Sequence, residues 1–281
     1  MNDKDSPANV SASAFAGTAE DYARYRPPYP VELLDHLLAR LAGRRRLLDL
    51  ACGPGRIAIA CAAKFEEVWA VDSEPDMVDM GKQIAGQQGL TNIRWHRTPG
   101  EDLDAPSDAF DLITIGEAFH RLDQVRVLQL ARRWLRPGGW IASLGSVGIL
   151  SGNEEWQLAV ADLARKWTRE VFPKGWATSR PGSAAGPEAE AAALRNAAFT
   201  RVSSHTFVQP RTWNIEEIAG YLRSTSVCSS QILGERSAAF EAAVRRRLLE
   251  LDPSGQYRER MEFGYTAGQR PGGAEDASRQ P

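Results

Sequence analysis

The sequence predicts an α/β protein in which helices cover both faces of a doubly wound, mostly parallel sheet. Strand-like apolar segments alternate with helix-like segments through the first half of the chain, which is the pattern of a parallel sheet with helical crossovers. A glycine-containing loop, Gly53-Pro54-Gly55, follows the first of these strands. The second half is more helical and contains two further strand-like segments. We therefore expect a seven-stranded sheet with an inserted, mostly helical lid.

The five predicted strands of the first half are short apolar segments bounded by turn residues. They cover residues 46–50, 68–72, 93–96, 110–115 and 140–144. The last of them follows a turn formed by Arg136-Pro-Gly-Gly139. In open parallel sheets, ligands bind beyond the carboxyl ends of the strands. The loops that follow these strands are therefore the expected ligand site.

Apolar residues at helical spacing predict the connecting helices. Pro30 favours the start of the first helix and Gly43 its end, while Pro75 and Gly89 bound the third helix in the same way. The apolar faces consist of Leu34, Leu37, Leu38 and Leu41 in the first helix, Ile57, Ala60 and Ala63 in the second, Met77, Met80 and Ile84 in the third, and Val127, Leu130, Ala131 and Trp134 in the fourth.

After residue 144 the regular alternation of strands and helices ends. Residues 151–195 and 213–251 have helical patterns, whereas residues 199–208 and 260–265 alternate like strands. We expect the sheet to finish with these two late strands, each preceded by a helical piece. The predicted organisation is a disordered N-terminus (1–15), a ligand-binding core (16–150), a helical lid (151–198), late strands with a second helical insertion (199–265) and a flexible tail (266–281).

Composition restricts the class of protein. Apolar residues make up 43% and charged residues 25% of the 281 residues, and the formal net charge is -2, so a nucleic-acid partner is not expected. No apolar run is long enough to span a bilayer, and the first residues do not resemble a secretory signal. The three cysteines have no metal-like spacing. We expect a cytoplasmic protein without a metal, nucleic-acid or membrane partner; its oligomeric state stays open, with a homodimer as one alternative.

The loop at Gly53 and Gly55 is the first candidate binding element. Glycines let the backbone turn tightly and approach a ligand, and free amides at the start of the next helix face that ligand. Asp72 ends the next strand, 19 positions after Gly53, where a carboxylate can accept both hydroxyls of a ribose. The same features match a nicotinamide-dinucleotide fingerprint. An ordinary tight turn and a simple surface cap are the structural alternatives for the glycines and Asp72.

Three further features favour a positively charged nucleoside over a dinucleotide. Asp49 precedes the loop, and a carboxylate there would repel a pyrophosphate but suit a ligand with an ammonium and a sulfonium group. Glu101, in Thr98-Pro-Gly-Glu-Asp-Leu103, follows the third strand and can accept from an adenine amino group. The segment from Phe110 to His120, followed by Leu135-Arg-Pro-Gly-Gly139, completes a fixed order of motifs.

In this order, the motifs between Tyr22 and Leu144 resemble those of class I S-adenosylmethionine-dependent methyltransferases. The similarity is to the small-molecule group that includes ubiquinone-biosynthesis and trans-aconitate methyltransferases. The matching motifs are Tyr22-Ala-Arg-Tyr-Arg-Pro-Pro-Tyr-Pro30, Asp49-Leu-Ala-Cys-Gly-Pro-Gly55, Val71-Asp72 and Leu135-Arg-Pro-Gly-Gly139. The resemblance implies a Rossmann-like fold, S-adenosylmethionine as cofactor and S-adenosylhomocysteine as product. It says little about the acceptor.

The resemblance also implies roles for individual residues. It assigns Ala51 and Gly53 to the methionine part of the cofactor, Asp72 to the ribose, Met77, Gly100 and Glu101 to the adenine, Gly116 to the sulfonium, and Tyr22 and Arg26 to closure over the cofactor, with Arg26 on its carboxylate. Asp49 and Gly55 complete the predicted cofactor-binding set. Ala51 departs from the family pattern because many relatives carry glycine there. Pro99 replaces an aspartate common in relatives, which moves the expected adenine contact to Glu101.

Methyl transfer requires the acceptor atom, the methyl carbon and the sulfur to lie in line, so positioning and exclusion of water matter most. A hydroxyl or carbon acceptor would also benefit from a base. His120 is the candidate base, and Glu117 would hold an acceptor amine or orient His120. A purely structural histidine at a strand end is the alternative.

The acceptor pocket is expected between the inserted pieces and the strand ends. The inserted pieces carry Trp156, Trp167, Trp176 and Trp213, which suit a planar or greasy acceptor, although each tryptophan could equally belong to the core. The favoured function is methylation of a small molecule, with specialised-metabolite biosynthesis as the setting. The competing functions are an RNA or protein methyltransferase, a nicotinamide oxidoreductase, and a cofactor-binding protein that has lost catalysis.

Overall fold

The computed structural model describes residues 15–172 and 186–272. The disordered segment predicted for residues 1–15 therefore falls, except for Phe15, outside the described residues. The described chain divides into two compact units. The sheet unit comprises the described residues of Tyr29–Ser146, Pro181–Phe207 and Phe263–Pro281, and the helical unit those of Met1–Pro28, Val147–Arg180 and Val208–Glu262.

A seven-stranded mixed sheet is the framework of the sheet unit. Its strands are β1 (Arg46–Leu50), β2 (Glu67–Asp72), β3 (Ile93–Arg97), β4 (Phe110–Gly116), β5 (Leu135–Ser146), β6 (Thr200–Asn214) and β7 (Gln256–Gln269). The strand order is β3-β2-β1-β4-β5-β7-β6. The β1–β2, β2–β3, β1–β4 and β4–β5 pairs are parallel, and β7 runs antiparallel to β5. The predicted Rossmann-like, mostly parallel sheet is confirmed.

The helices connect the strands or form the helical unit. They are α1 (Ala19–Tyr25), α2 (Val31–Leu38), α3 (Arg56–Cys61), α4 (Pro75–Gln87), α5 (Gln124–Trp134), α6 (Glu155–Thr168), α7 (Pro187–Asn196), α8 (Ile215–Arg223), α9 (Ser230–Leu233) and α10 (Ser237–Leu251). Short 3-10 turns occur at Ala62–Lys64, Gly100–Asp102, Phe119–Arg121, Ile149–Ser151 and Gly234–Arg236. Within the described ranges, every helix is too short or too polar to cross a membrane.

Buried apolar side chains fix the strands between two layers of helices. On one face of the sheet, Leu48, Ile113 and Ile115 belong to the same core cluster as Val127 and Trp134 of α5, and all five are fully buried. On the other side, α3 and α4 pack against the first three strands. Burial of one such side chain contributes about 1.5–3 kcal/mol. The sheet is therefore a rigid support for the loops at its strand ends.

The start of β5 differs from the prediction. Residues 136–139, predicted as a turn, lie inside the strand as an irregularity, because the pairing with β4 passes from Phe110↔Leu135 directly to Leu112↔Trp140. Gly139 is required there, since a Cβ would lie 3.0 Å from the Arg136 carbonyl oxygen. Asp111 stabilises the bulge by accepting from the Arg136 guanidinium at 2.9 Å.

The predicted domain boundaries also differ from the structure. The segment Thr266–Gln269, predicted as the start of a flexible tail, belongs to β7 and pairs with β5, as in Trp140↔Gln269. The rest of that predicted tail from residue 273 lies outside the described residues. Helix α7, predicted as part of the lid, belongs to the sheet unit, whereas α1, predicted as part of the core, belongs to the helical unit.

Candidate functional site

The loop after β1 has an unusual backbone. Ala51, Gly53 and Gly55 all have positive φ, at 50°, 55° and 78°. Glycine adopts this left-handed conformation freely, but a residue with a Cβ is strained by roughly 1–2 kcal/mol. The departure of Ala51 from the family pattern therefore has a local conformational cost. The conformation turns the chain sharply from β1 into α3.

Asp72 fixes the loop from the end of β2. Its carboxylate accepts the Gly53 amide at 2.7 Å and the Glu74 amide at 2.9 Å. Burial raises the pKa of Asp72, while the bonds from the Glu74, Gly53 and Ser73 amides and the charge of Arg121 oppose that rise. Each carboxylate oxygen has a second lone pair. Asp72 can therefore hold the loop and still accept ligand hydroxyls.

Asp49 lies beneath the loop and is almost completely buried. One carboxylate oxygen accepts the Ala58 amide of α3 at 3.1 Å, and the other accepts the Thr114 hydroxyl of β4 at 2.8 Å. Desolvation raises its pKa to about 7, the two hydrogen bonds oppose the rise, and the charge of Asp72 adds to it. Two buried carboxylates thus flank the glycine loop, an environment that suits a cation and opposes a pyrophosphate.

Trp95 of β3 supports the loop from the opposite side. A Cβ on Gly55 would lie 2.5 Å from the Trp95 ring, and a Cβ on Gly81 of α4 would also overlap that ring. The indole therefore occupies space that two glycines leave open, one in the loop and one in the helix. Trp95 is not predictable from the sequence, because nothing in the pattern of β3 indicates that its side chain reaches the glycine loop.

The residues predicted at the adenine lie after β2 and β3. Met77 is buried in the first turn of α4, and Gly100 is buried with its Cα close to Leu50. Glu101 is half-buried, and one of its oxygens accepts the Asp123 amide at 2.9 Å, at the start of α5. Contact of these residues with adenine remains a prediction.

Comparison with known proteins identifies this arrangement. The methyltransferase domain family matches residues 47–139. A protein from Anaeromyxobacter dehalogenans, described as a type II methyltransferase, shares the fold with a TM-score of 0.62 and 21% identity, over 88% of this chain and 99% of that one. Residues 47–139 are thus similar to methyltransferase domains, and the chain shares the fold of that solved structure.

Two curated relatives of the methyltransferase domain were found by sequence. An uncharacterised methyltransferase of Mycobacterium tuberculosis is 29% identical over 148 residues, which are 48% of this chain and 58% of that protein. A ubiquinone biosynthesis O-methyltransferase of Cereibacter sphaeroides is 31% identical over 131 residues, 46% of this chain and 51% of that enzyme. The match thus spans little more than half the length of either relative.

The end of β4 and the turn after it carry the residues predicted for catalysis and for the sulfonium. A Cβ on Gly116 would lie 2.8 Å from the Ile57 side chain and 3.0 Å from the Tyr29 hydroxyl, so a larger residue would require these side chains to move. Glu117 has a positive φ of 58°, and its carboxylate accepts the Ser146 hydroxyl at 2.6 Å. This hydrogen bond orients Glu117, whose role towards an acceptor amine or His120 remains a prediction.

His120 lies in the 3-10 turn after β4 and is exposed. Partial desolvation of the ring, together with the charge of Arg121, lowers its pKa. The imidazole is therefore neutral at neutral pH, which a general base requires. Its catalytic role remains a prediction.

Glu190 is a second carboxylate that the sequence analysis missed. It extends from α7 to the sheet, where one oxygen accepts the Ser143 hydroxyl of β5 at 3.0 Å. Burial raises the pKa of Glu190, hydrogen bonds from Ser143 and Thr266 oppose the rise, and the charge of Glu117 adds to it. Because α7 was assigned to the lid, its proximity to β5 could not be predicted.

Tyr22 and Arg26 belong to the helical unit, where Arg26 contacts α8 and the residue after it. Arg26 donates to the Ser224 hydroxyl at 2.8 Å and to the Tyr221 hydroxyl at 3.1 Å. Its guanidinium also lies over the rings of Tyr22 and Tyr221, at 5.0 and 4.4 Å from their centroids. These contacts all lie within the helical unit. The predicted closure of Tyr22 and Arg26 over the cofactor therefore stays a prediction.

The tryptophans predicted to line an acceptor pocket are largely structural. Trp156 and Trp213 are buried in the helical unit, with their indole nitrogens donating to the Arg258 carbonyl at 3.2 Å and to Glu259 at 2.8 Å. Trp167 packs edge-on against Phe240. The core alternative therefore holds for Trp156 and Trp213. Trp176 lies outside the described residues.

Proposed function

We propose that this protein transfers the methyl group of S-adenosylmethionine to an oxygen, nitrogen or carbon atom of a small molecule. The observation that carries the proposal is the pair of buried carboxylates, Asp49 and Asp72, on either side of a glycine loop with positive φ. S-adenosylmethionine would supply an electrophilic methyl group on a positively charged sulfur. A carboxylate-flanked loop favours that charge over the diphosphate of a nicotinamide cofactor.

The residues present fit this cofactor in three respects. Asp72 keeps free lone pairs for ribose hydroxyls while it accepts the Gly53 and Glu74 amides. Asp49 is held by protein donors beneath the loop, so its influence on a ligand would be electrostatic. The side chain of Ile57, in the first turn of α3, lies beside Gly116. Gly116 is therefore close to the helix that follows the glycine loop, as expected for a residue near the sulfonium.

For the chemical step, we assign the acceptor to the ends of β4 and β5. Neutral His120 would accept a proton from a hydroxyl or carbon acceptor, and Glu117 would hold an acceptor amine. The protein's main contribution is to align the acceptor with the methyl group and to exclude water. The curated relative from Cereibacter sphaeroides, an O-methyltransferase of ubiquinone biosynthesis, supports a small-molecule acceptor. Specialised-metabolite biosynthesis in the cytoplasm remains the favoured setting.

Equilibrium binding to the purified full chain tests the cofactor assignment. We expect saturable binding of S-adenosylmethionine and S-adenosylhomocysteine, and none of a nicotinamide dinucleotide. Asp72→Asn should weaken this binding tenfold or more, since it removes a charged acceptor of hydrogen bonds. Asp104→Asn makes the same chemical change at an exposed position and should bind normally. Preferential binding of the dinucleotide would overturn the proposal.

Turnover then tests the acceptor class. Release of S-adenosylhomocysteine is measured with small molecules that carry hydroxyl, amine or activated carbon groups, and separately with RNA and protein. Turnover with a small acceptor alone supports the proposal. Turnover restricted to RNA or protein would replace it with the macromolecular alternative, and cofactor binding without any turnover would favour a non-catalytic role.

A further inference from the structure

The side chain of Arg40, which follows α2, reaches β7 and β6 of the sheet. Its Nε donates to the Tyr265 hydroxyl of β7 at 2.9 Å, and its Nη1 donates to the Ser203 hydroxyl of β6 at 3.0 Å. Its Nη2 is hydrogen-bonded to Nε2 of His205, also in β6. All three acceptors are neutral. Among residues 15–172 and 186–272, Arg40 forms no ion pair with a carboxylate.

The titratable side chains that contact this guanidinium are neutral or cationic, and Asp35, a carboxylate of α2, pairs with Lys64 instead. The ring of His36, from α2, lies 4.6 Å from the ring of His205. Partial burial lowers the pKa of His205, and the charges of Arg40 and His36 lower it further. Burial raises the pKa of Tyr265, which Arg40 opposes. The titratable groups that contact Arg40 from β6 and β7 thus offer no negative charge to balance it.

A half-buried guanidinium usually has a countercharge, because leaving water without one is unfavourable. The C-terminal end of α2 supplies at most about half a negative charge. Arg40 also retains hydrogen-bonding capacity, since three of its five N–H groups are used. An acceptor with negative charge would therefore complete the environment of Arg40.

The neighbouring histidine adds a donor to the same place. The Tyr265 hydroxyl accepts from Arg40, so its own hydrogen is directed to Nδ1 of His36, 2.7 Å away. Nε2 of His36 then carries the ring proton, and His36 is exposed. The Trp140 and Tyr265 rings lie 5.2 and 5.5 Å from the guanidinium carbon and limit its movement.

We propose that Arg40, His36 and His205 form a binding site for the phosphate group of a small molecule. A phosphate provides several acceptor oxygens for the free guanidinium N–H groups and for His36, and it supplies the missing negative charge. Protonation of His205 would turn its Nε2 from an acceptor into a donor and release one N–H of Arg40. Binding of the phosphate monoanion should therefore strengthen as the pH falls below the usual histidine range. The site is independent of methyl transfer, so it is tested separately from the proposed function.

The test is a titration of the full chain with inorganic phosphate at constant ionic strength, followed by NMR of the histidine rings. The chain has four histidines, so His96 and His120 serve as internal references. We expect saturable shifts for His36 and His205, stronger at lower pH, and a higher pKa for His205 when phosphate is bound. Equal shifts with chloride at the same ionic strength would overturn the proposal, because they would reflect screening alone.

Variants separate binding from folding. Arg40→Gln should raise the phosphate dissociation constant about tenfold or more, since it removes a charged donor. Arg133→Gln removes the same charge from an exposed position on α5 and should leave the constant unchanged. His36→Gln changes an exposed residue and should weaken binding several-fold even if Arg40→Gln does not fold. Equal affinity of the wild-type, Arg133→Gln and His36→Gln proteins would refute the site.

Discussion

The carboxyl group of Asp49 changes between its protonated and ionised forms near neutral pH. It is almost fully desolvated, and the Ala58 amide and Thr114 hydroxyl offset only part of that cost, so its pKa is raised to about 7. A cation bound nearby favours the ionised form. The charge state of Asp49 and occupancy of the loop are therefore linked.

The linkage predicts that affinity for S-adenosylmethionine rises as the pH is increased through about 7. A bound sulfonium lowers the pKa of Asp49, so binding releases a proton at any pH where the carboxyl group of the free protein is still protonated. Binding that releases protons becomes stronger as the pH rises. Dissociation constants measured across this range, with calorimetry in two buffers to count released protons, provide the check.

S-adenosylhomocysteine and Asp49→Asn are the controls for this effect. The sulfur of S-adenosylhomocysteine is uncharged, so its affinity should depend less on pH. Asp49→Asn keeps the size of the side chain but cannot ionise, and should flatten the profile for S-adenosylmethionine. An unchanged profile in the variant would mean that another group titrates.

His120 is expected to act as a base when the acceptor is a hydroxyl or a carbon. Its pKa is lowered, so turnover should fall only when the pH drops below the usual histidine range. His120→Ala should reduce kcat/KM by roughly 10²–10⁴-fold without changing the affinity for S-adenosylmethionine. Steady-state kinetics with the identified acceptor measure this. Normal turnover in the variant would remove His120 from the mechanism.

At the scale of elements, the glycine loop, α4 and β3 form one packed group through Trp95. The ring occupies the space left at Gly55 and Gly81, so the helix glycine is needed for close packing and not for a turn. A change at Gly81 should therefore reach the cofactor loop through the tryptophan.

Gly81→Ala should lower the free energy of unfolding by about 1–3 kcal/mol, since the added methyl overlaps the Trp95 ring. It should also weaken S-adenosylmethionine binding, because the displaced ring presses on Gly55. Denaturant unfolding and equilibrium binding measure the two effects.

Two variants give this experiment its controls. Gly86→Ala lies in the same helix with open space around its Cα, and should stabilise the protein by about 0.5–1 kcal/mol. Combining Gly81→Ala with Trp95→Leu should restore cofactor affinity relative to Gly81→Ala alone. If the double variant binds no better, the ring does not transmit the change.

The elements that the sequence predicts well are those whose signals are local. The bounds of β1 to β4 agree with the prediction to within about one residue, because each is an apolar run between turn residues. The segments predicted for β5, β6 and β7 are shorter than the observed strands. The turn at residues 136–139 was misplaced because proline and glycine also mark a bulge inside a strand. Thr266–Gln269 was taken for a tail because its composition is polar and small, although pairing with β5 holds it.

At the scale of the whole molecule, the sequence predicts the cofactor loop but not the long-range contacts. Gly53 and Asp72 are recognisable from spacing, since the loop and the strand end belong to a recurring βαβ pattern. The contact of Glu190 with Ser143 and that of Arg40 with His205 join distant segments. No periodicity encodes such contacts. They follow from the order in which β5, β7 and β6 are placed in the sheet.

The two-unit organisation predicts how ligand binding affects thermal unfolding. A ligand that binds only the folded protein stabilises it by about 2.7 kcal/mol at a concentration one hundred times its dissociation constant. For a chain of 281 residues that corresponds to a rise in Tm of roughly 5 °C. S-adenosylhomocysteine should produce such a rise, and a nicotinamide dinucleotide should not.

Calorimetry also shows which unit the ligand stabilises. The loop, Asp49 and Asp72 all belong to the sheet unit. If the wild-type protein unfolds in two transitions, the one whose temperature Gly81→Ala lowers in the absence of ligand belongs to the sheet unit. S-adenosylhomocysteine should raise the temperature of that transition. A shift confined to the other transition would mean that the cofactor binds mainly to the helical unit, and the assignment of the glycine loop would then be wrong.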